Sequence, residues 1–321
     1  MRIQVLILVL FLSQTVRAWP QAKTLQETHN AALRYWQAFA ELKDPPPDKE
    51  IQAEIQTTLL GATEWNEAKL GSIVAENEVA LGIMQRATKL PDCDWGIEYS
   101  QGAEASVALV PRAHVLARLN TLRGVRELAQ RHPQAAVDTW IAGIRFDEDV
   151  AKGGSLLFAL TARDILLSEM RVVTAEARKG RLNAAQKKQL YTAFSALPED
   201  GFDWGEAWEL DEAGTDLFFA EVQHSQKPAS VYERLMGQAA PKDCVPPSGQ
   251  QVKVYHDYMN DVASALRLPS AAAKDRLAAL VPEKNRICEA IQIAIPSPER
   301  VNDERAEVIQ ARKDLLSALA R

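Results

Sequence analysis

Cysteine and glycine are both scarce in this chain. Its 321 residues include three cysteines, Cys93, Cys244 and Cys288, and no C-x-x-C spacing. That excludes a zinc knuckle and a thioredoxin-type redox pair. No H-E-x-x-H and no D-x-D-x-D-G loop occurs, so the spacings of a zinc protease and of a calcium loop are missing too. Positive charge is in deficit, with 37 Lys and Arg against 43 Asp and Glu. A chain of that sign gains nothing from releasing counterions on nucleic acid. No apolar run approaches the roughly 20 residues that cross a bilayer. With 15 glycines, few β-branched runs and abundant Ala and Leu, the composition is that of a helical protein.

The start of the chain gives an address. Met1-Arg2 is positive, Ile3 to Leu12 is apolar apart from Gln4, and Val16-Arg17-Ala18 offers small residues where a signal peptidase reads. Residues 1–18 are therefore expected to be a secretory signal, cut before Trp19. The mature chain, 19–321, would be exported to the periplasm or beyond, without a stable membrane insertion. It carries 35 basic against 43 acidic residues, a net charge of −8. That compartment permits disulfides. If two cysteines pair, Cys244 and Cys288 are expected to, because both lie in the C-terminal half while Cys93 sits in a distant loop.

Helical punctuation recurs along the rest. Thr24 and Glu27 make a capping box, followed by Leu25, His29, Ala32, Trp36 and Phe39 on one stripe and stopped by Pro45-Pro46-Pro47. Helices are expected over 48–60, 64–88, 111–131, 133–151 and from Leu156 through Val173. Others follow over 183–196, 203–224, 228–238, 250–267, 270–280, 283–294 and 298–320. Lys152-Gly153-Gly154-Ser155 reads as a stop and restart, with glycine at the C-cap and serine at the N-cap. The least regular stretches, 197–202 and 239–249, are where two lobes could part. With no strand pattern, the expected fold is all-α, antiparallel helical hairpins in an array or bundle. Gly124 and Ala136-x3-Trp140 occupy the small and large positions of a tetratricopeptide-like pair, and no second copy follows at 34 residues.

The most distinctive string is Cys93-Asp94-Trp95-Gly96-x-Glu98-Tyr99-Ser100-x-Gly102, with Tyr35-Trp36-x-Ala38-Phe39 upstream. Over residues 30–180 the chain resembles a group of exported bacterial proteins with helical-repeat-like, tetratricopeptide-like folds. The resemblance implies fold and compartment. It brings no activity, cofactor or catalytic residue.

Candidate sites are few. Cys93 lies between Asp92 and Asp94, whose charge disfavours a thiolate. His29 falls on the apolar stripe of the first helix, and His256 on a half-exposed face. Asp211 is placed within the stripe Trp204, Trp208, Asp211, Thr215, Phe218, Val222, in a segment from Glu199 to Glu221 that contains no Lys or Arg. A carboxyl there is either a general acid for glycan cleavage or is satisfied by an Arg of the 111–131 helix. The Lys152–Ser155 turn could hold a phosphate at a helix start, though it lacks a P-loop. Of the seven tryptophans, Trp36, Trp140, Trp204 and Trp208 belong to apolar stripes. Trp65 and Trp95 are the expected exposed anchors for a partner.

The reading that follows is an exported scaffold or protein-interaction module with a protein or peptide partner, no cofactor and no metal. The alternative is an extracytoplasmic, glycan-directed hydrolase using Asp211. Mass spectrometry of the exported protein should find Trp19 at its N-terminus; a mature product retaining Met1 would overturn the export reading.

Overall fold

The computed structural model describes residues 28–105, 107–242, 244–292 and 295–321. The expected leader, its expected cleavage site and the expected Thr24–Glu27 capping box lie outside the described residues. Among those described, fifteen α-helices and no strand are present. The all-α class therefore holds. The helices are α1 (Ala31–Glu41), α2 (Lys49–Leu59), α3 (Glu67–Glu76), α4 (Glu78–Ala87), α5 (Leu109–Ala129), α6 (Pro133–Ala151), α7 (Leu156–Arg178) and α8 (Ala184–Ala196). They continue as α9 (Trp204–His224), α10 (Pro228–Met236), α11 (Gly249–Leu266), α12 (Ser270–Ala279), α13 (Val281–Lys284), α14 (Glu289–Gln292) and α15 (Pro298–Leu319). A 3-10 turn spans Tyr99–Glu104.

Short polar side chains set seven of the fifteen helix starts. Asp48, Asn66, Asp203, Ser248 and Ser297 each accept a first-turn amide, and Asn183 with Gln186 forms a reciprocal capping box. The first helix starts later than its stripe predicts. Asn30 caps it by accepting from Ala32 N, and His29 stands before it, exposed. The expected 64–88 helix is two helices, broken at buried Asn77. That side chain accepts from Lys43 N at 2.8 Å and donates to the Lys43 carbonyl at 3.1 Å, clasping the chain that leaves α1. The expected 283–294 helix is likewise split, into α13 and α14.

At the centre, α5 packs on α6 and α6 on α7. The contact is close because two helix faces carry no side chain. A Cβ on Gly124 would stand 2.2 Å from Trp140 Nε1, and one on Gly143 would stand 2.0 Å from Glu169 Oε2. One hydrophobic cluster runs from Ala31 to Leu319 and includes Leu197 and Phe202. The 197–202 segment is held by α15: Arg312 donates to the carbonyls of Phe194, Ser195 and Leu197, and buried Arg305 pairs with Asp200 at 2.7 Å. In the 239–249 stretch Cys244 is disulfide-bonded to Cys288, with Cα atoms 6.2 Å apart. Cys93 is free.

Two carboxyls sit inside this centre. Asp147 of α6 and Glu169 of α7 are 1% and 2% exposed. Among the described residues neither Asp147 oxygen has a hydrogen-bond partner, nor does Glu169 Oε1. Burial pushes both carboxyls well above the usual range, and for Asp147 the charges of Glu169 and then Glu148 add to it. A carboxyl whose folded-state pKa is raised stabilises the fold while it keeps its proton. That contribution is complete below the unfolded pKa of about 4 and is lost as pH rises through the folded value. Chemical denaturation of the native chain should therefore show stability falling with pH above about 4, by up to about 1.4 kcal/mol per pH unit for each proton retained. The double variant Asp147→Asn, Glu169→Gln should flatten that slope; an unchanged slope would mean the pair ionises without cost.

Candidate functional site

The Cys93–Gly102 string forms a clasp around the end of α6. Asp149, fully buried, is its centre. Tyr35 Oη donates to Asp149 Oδ2 at 2.8 Å, Lys152 Nζ to Oδ1 at 2.8 Å, and Trp95 Nε1 to the Asp149 carbonyl at 2.6 Å. Arg145 adds a second cation 3.5 Å from Oδ1. The Trp95 ring stacks between Tyr35 and Phe39, with centroids at 5.4 and 6.1 Å. Cys93 is half-buried beside the same carbonyl, and burial followed by the Asp149 charge pushes its thiol up to about 12. A thiol in that state is not a nucleophile.

The tryptophan assignment needs correcting. Trp95 is 5% exposed and belongs to the core, because its loop folds inward to reach the α6 carbonyl. Trp36, expected in the core, is 39% exposed and meets Phe39 and Trp95 edge-on. Trp65 is half-buried, its Nε1 donating to Glu67 at 2.6 Å, and Glu67 also takes Arg126. Trp140, Trp204 and Trp208 are buried.

Beyond Asp149 the chain turns through Lys152-Gly153-Gly154-Ser155 into α7, with Gly154 at φ +94°. Ser155 holds the N-cap position, yet its side chain makes no cap bond. Two other elements supply the acceptors. Tyr99 Oη accepts from Ser155 N at 3.3 Å, and Asp211 Oδ1, from α9, accepts from Leu156 N at 3.2 Å. The first amides of α7 are thus occupied, and the turn is no phosphate cradle. Asp211 is held by a backbone amide, where an Arg of α5 had been expected. Burial raises its pKa, opposed by the Leu156 bond. Burial also raises Tyr99.

Asp211 and Tyr99 line a cleft of about 310 Å³ between the start of α7, the 3-10 turn, α9 and α10. Ser155 and Thr215 complete its polar side, and Thr215 Oγ1 donates to the Asp211 carbonyl at 3.1 Å. The remaining wall is apolar: Val107, Leu157, Leu210, Phe218, Leu235 and Met236. Val107 and Leu157 are more than 40% exposed. Apolar walls with a few convergent polar groups, at the low end of ligand-pocket volume, describe a small-group binding site.

The other face of α9 carries an ion-pair bridge. His256 of α11 stands with Nδ1 2.7 Å from Glu212 Oε1 and Nε2 3.2 Å from Asp216 Oδ1. Burial raises both carboxyls while the imidazole opposes it. Both ring nitrogens are engaged, so the group joins α9 to α11. Among the described residues no three His, Cys, Asp or Glu side chains are grouped to hold a metal ion.

No protein-family model, curated protein or solved structure matches this chain.

The periodicity did not reveal that cleft, but one residue could have. Gly214 sits mid-helix in α9, where glycine costs about 1 kcal/mol against alanine. A Cβ there would meet nothing within 4 Å, unlike at Gly124 and Gly143. Close packing does not account for it; an open cleft wall does.

The tryptophan correction can be measured. Trp95→Ala should cost about 3–5 kcal/mol in urea denaturation, the range for a buried Trp, and Trp36→Ala about 1 kcal/mol or less. The reverse ranking would return Trp95 to the surface.

Proposed function

We propose that this chain is an exported, non-catalytic binding module that holds a protein or peptide partner by a compact group inserted in the Asp211 cleft. The observation that carries the reading is Gly214: a mid-helix position left without a side chain, opening on an apolar cleft with clustered polar groups. Export is supported by the N-terminal leader pattern and fits the Cys244–Cys288 disulfide, a bond favoured in oxidising compartments. The close α5–α6 contact at Gly124 and Trp140 supports a hairpin array of tetratricopeptide-like kind. The acid excess argues against nucleic acid. No helix among the described residues is long and apolar enough to cross a membrane.

Binding is favoured over glycan hydrolysis by what Asp211 does. One of its oxygens caps α7, and no second carboxyl among the described residues lines the cleft beside it, whereas glycoside cleavage uses a pair of them. The test is fluorescence enhancement of N-phenyl-1-naphthylamine, a neutral apolar dye. Wild type should bind it saturably. Gly214→Leu should fill the cleft and remove binding while leaving the melting temperature equal or higher, since replacing a helical glycine stabilises by roughly 0.5–1 kcal/mol. Dye binding that survives Gly214→Leu would defeat the assignment. Hydrolysis of a cell-wall glycan that disappears in Asp211→Asn would replace it with the enzyme reading.

A further inference from the structure

Resting on the binding reading above, we infer that the group the cleft receives is a lysine side chain of the partner, its ammonium on Asp211 and its methylene stem along Leu157 and Leu235. Three features of the cleft select this chemistry. The first is charge. Asp211 lines the cleft with no Lys, Arg or His beside it. Three cations around α9 and the turn are already engaged: Arg267 on Glu209, His256 on Glu212 and Asp216, Lys152 on Asp149. A largely buried carboxyl without a counter-ion is incomplete, and an incoming cation supplies the missing charge. An anionic group is excluded, because the helix start that would attract it is capped by Asp211 and Tyr99.

The second feature is the number of acceptors. Asp211 Oδ1 is taken by Leu156 N, while its other oxygen receives no hydrogen bond from a described residue. With Oδ1 taken, Asp211 cannot form the two-oxygen fork in which a guanidinium binds a carboxylate best. It suits an ammonium, a point charge with three donors, and the Tyr99, Ser155 and Thr215 hydroxyls stand on the same polar side as further acceptors. The third is the wall. A lysine buries its four-carbon stem on apolar surface while the head stays with polar groups, and the leucines lie where such a stem would run. The cleft has room for one side chain and not for a folded segment, so the partner presents a single residue.

Displacement of N-phenyl-1-naphthylamine from the full mature chain tests this with four probes: Nα-acetyl-lysine amide, its norleucine isostere, Nα-acetyl-arginine amide and hexylamine. The lysine amide should displace the dye at about tenfold lower concentration than the norleucine amide, the scale of one charge-assisted hydrogen bond, and arginine amide should fall behind lysine. In Asp211→Asn, whose side-chain oxygen can still cap Leu156 N, the dye's own affinity is measured afresh and the lysine preference over norleucine should vanish. The far-UV circular dichroism melting curve serves as the folding control. The wild-type comparison of lysine with norleucine needs no variant at all. Equal displacement by both amides would overturn the inference and leave the binding module standing, whereas failure of the dye and every probe would remove the binding module as well. A lysine preference that persists in Asp211→Asn would reject Asp211 as the counter-ion. Hexylamine displacing the dye while lysine amide fails would reject a partner side chain in favour of a free amine.

Discussion

The turn between α6 and α7 is the constraint on which the surrounding structure depends. A helix end leaves amides and carbonyls without intrahelical partners, and this one is half-buried, with Gly153 and Leu156 out of solvent; an orphaned group that is buried costs about 1–3 kcal/mol. The chain answers by bringing three separate segments to the same place. Tyr35 from α1 and Trp95 from the following loop close on Asp149; Tyr99 and Asp211 take the first two amides of α7. A residue from position 35 and one from position 211 thereby meet at a single turn. Local serine capping would have held the helix end without tying any of these segments to it.

The same arrangement opens the cleft. Asp211 faces the α7 start because it caps it, and α9 must then run past the turn with Leu210 against Gly154, where a Cβ would lie 2.6 Å from the Leu210 methyl. The side of α9 bearing Gly214 and Thr215 is left facing α10 and the exposed Val107 and Leu157. Capping consumes one carboxylate oxygen and leaves the other beside an apolar wall. A stabilising contact and the proposed binding feature are thus two halves of one side chain.

Electrostatics in the interior are tuned differently at two depths. Asp149 is buried with Lys152 and Arg145 beside it, so its charge is matched. Asp147 and Glu169, in the same helix pair, meet no cation among the described residues, and desolvation holds their protons. Two residues apart in sequence, Asp147 and Asp149 follow opposite logic because one points into the α5–α7 core and the other towards the clasp.

Much of the helical frame was legible in the sequence, because helix periodicity and capping are local. Pro133, Asn183, Asp203 and Pro298 mark starts within a residue or so. Local signals failed where a distant residue interfered: the 64–88 stripe is cut at Asn77 by its bonds to Lys43, and Ser155 yields its cap to Asp211. The exposed tryptophan was misassigned for the same reason. Position in a loop does not report burial, and the 91–98 loop folds inward to pair Trp95 with a carbonyl 54 residues away. The sequence by itself determined the all-α class and the close α5–α6 contact, since both rest on composition and short-range spacing. The tertiary structure alone decided that Asp211 would cap another helix and that Gly214 would border an open cleft, since both depend on which elements converge around a half-buried turn.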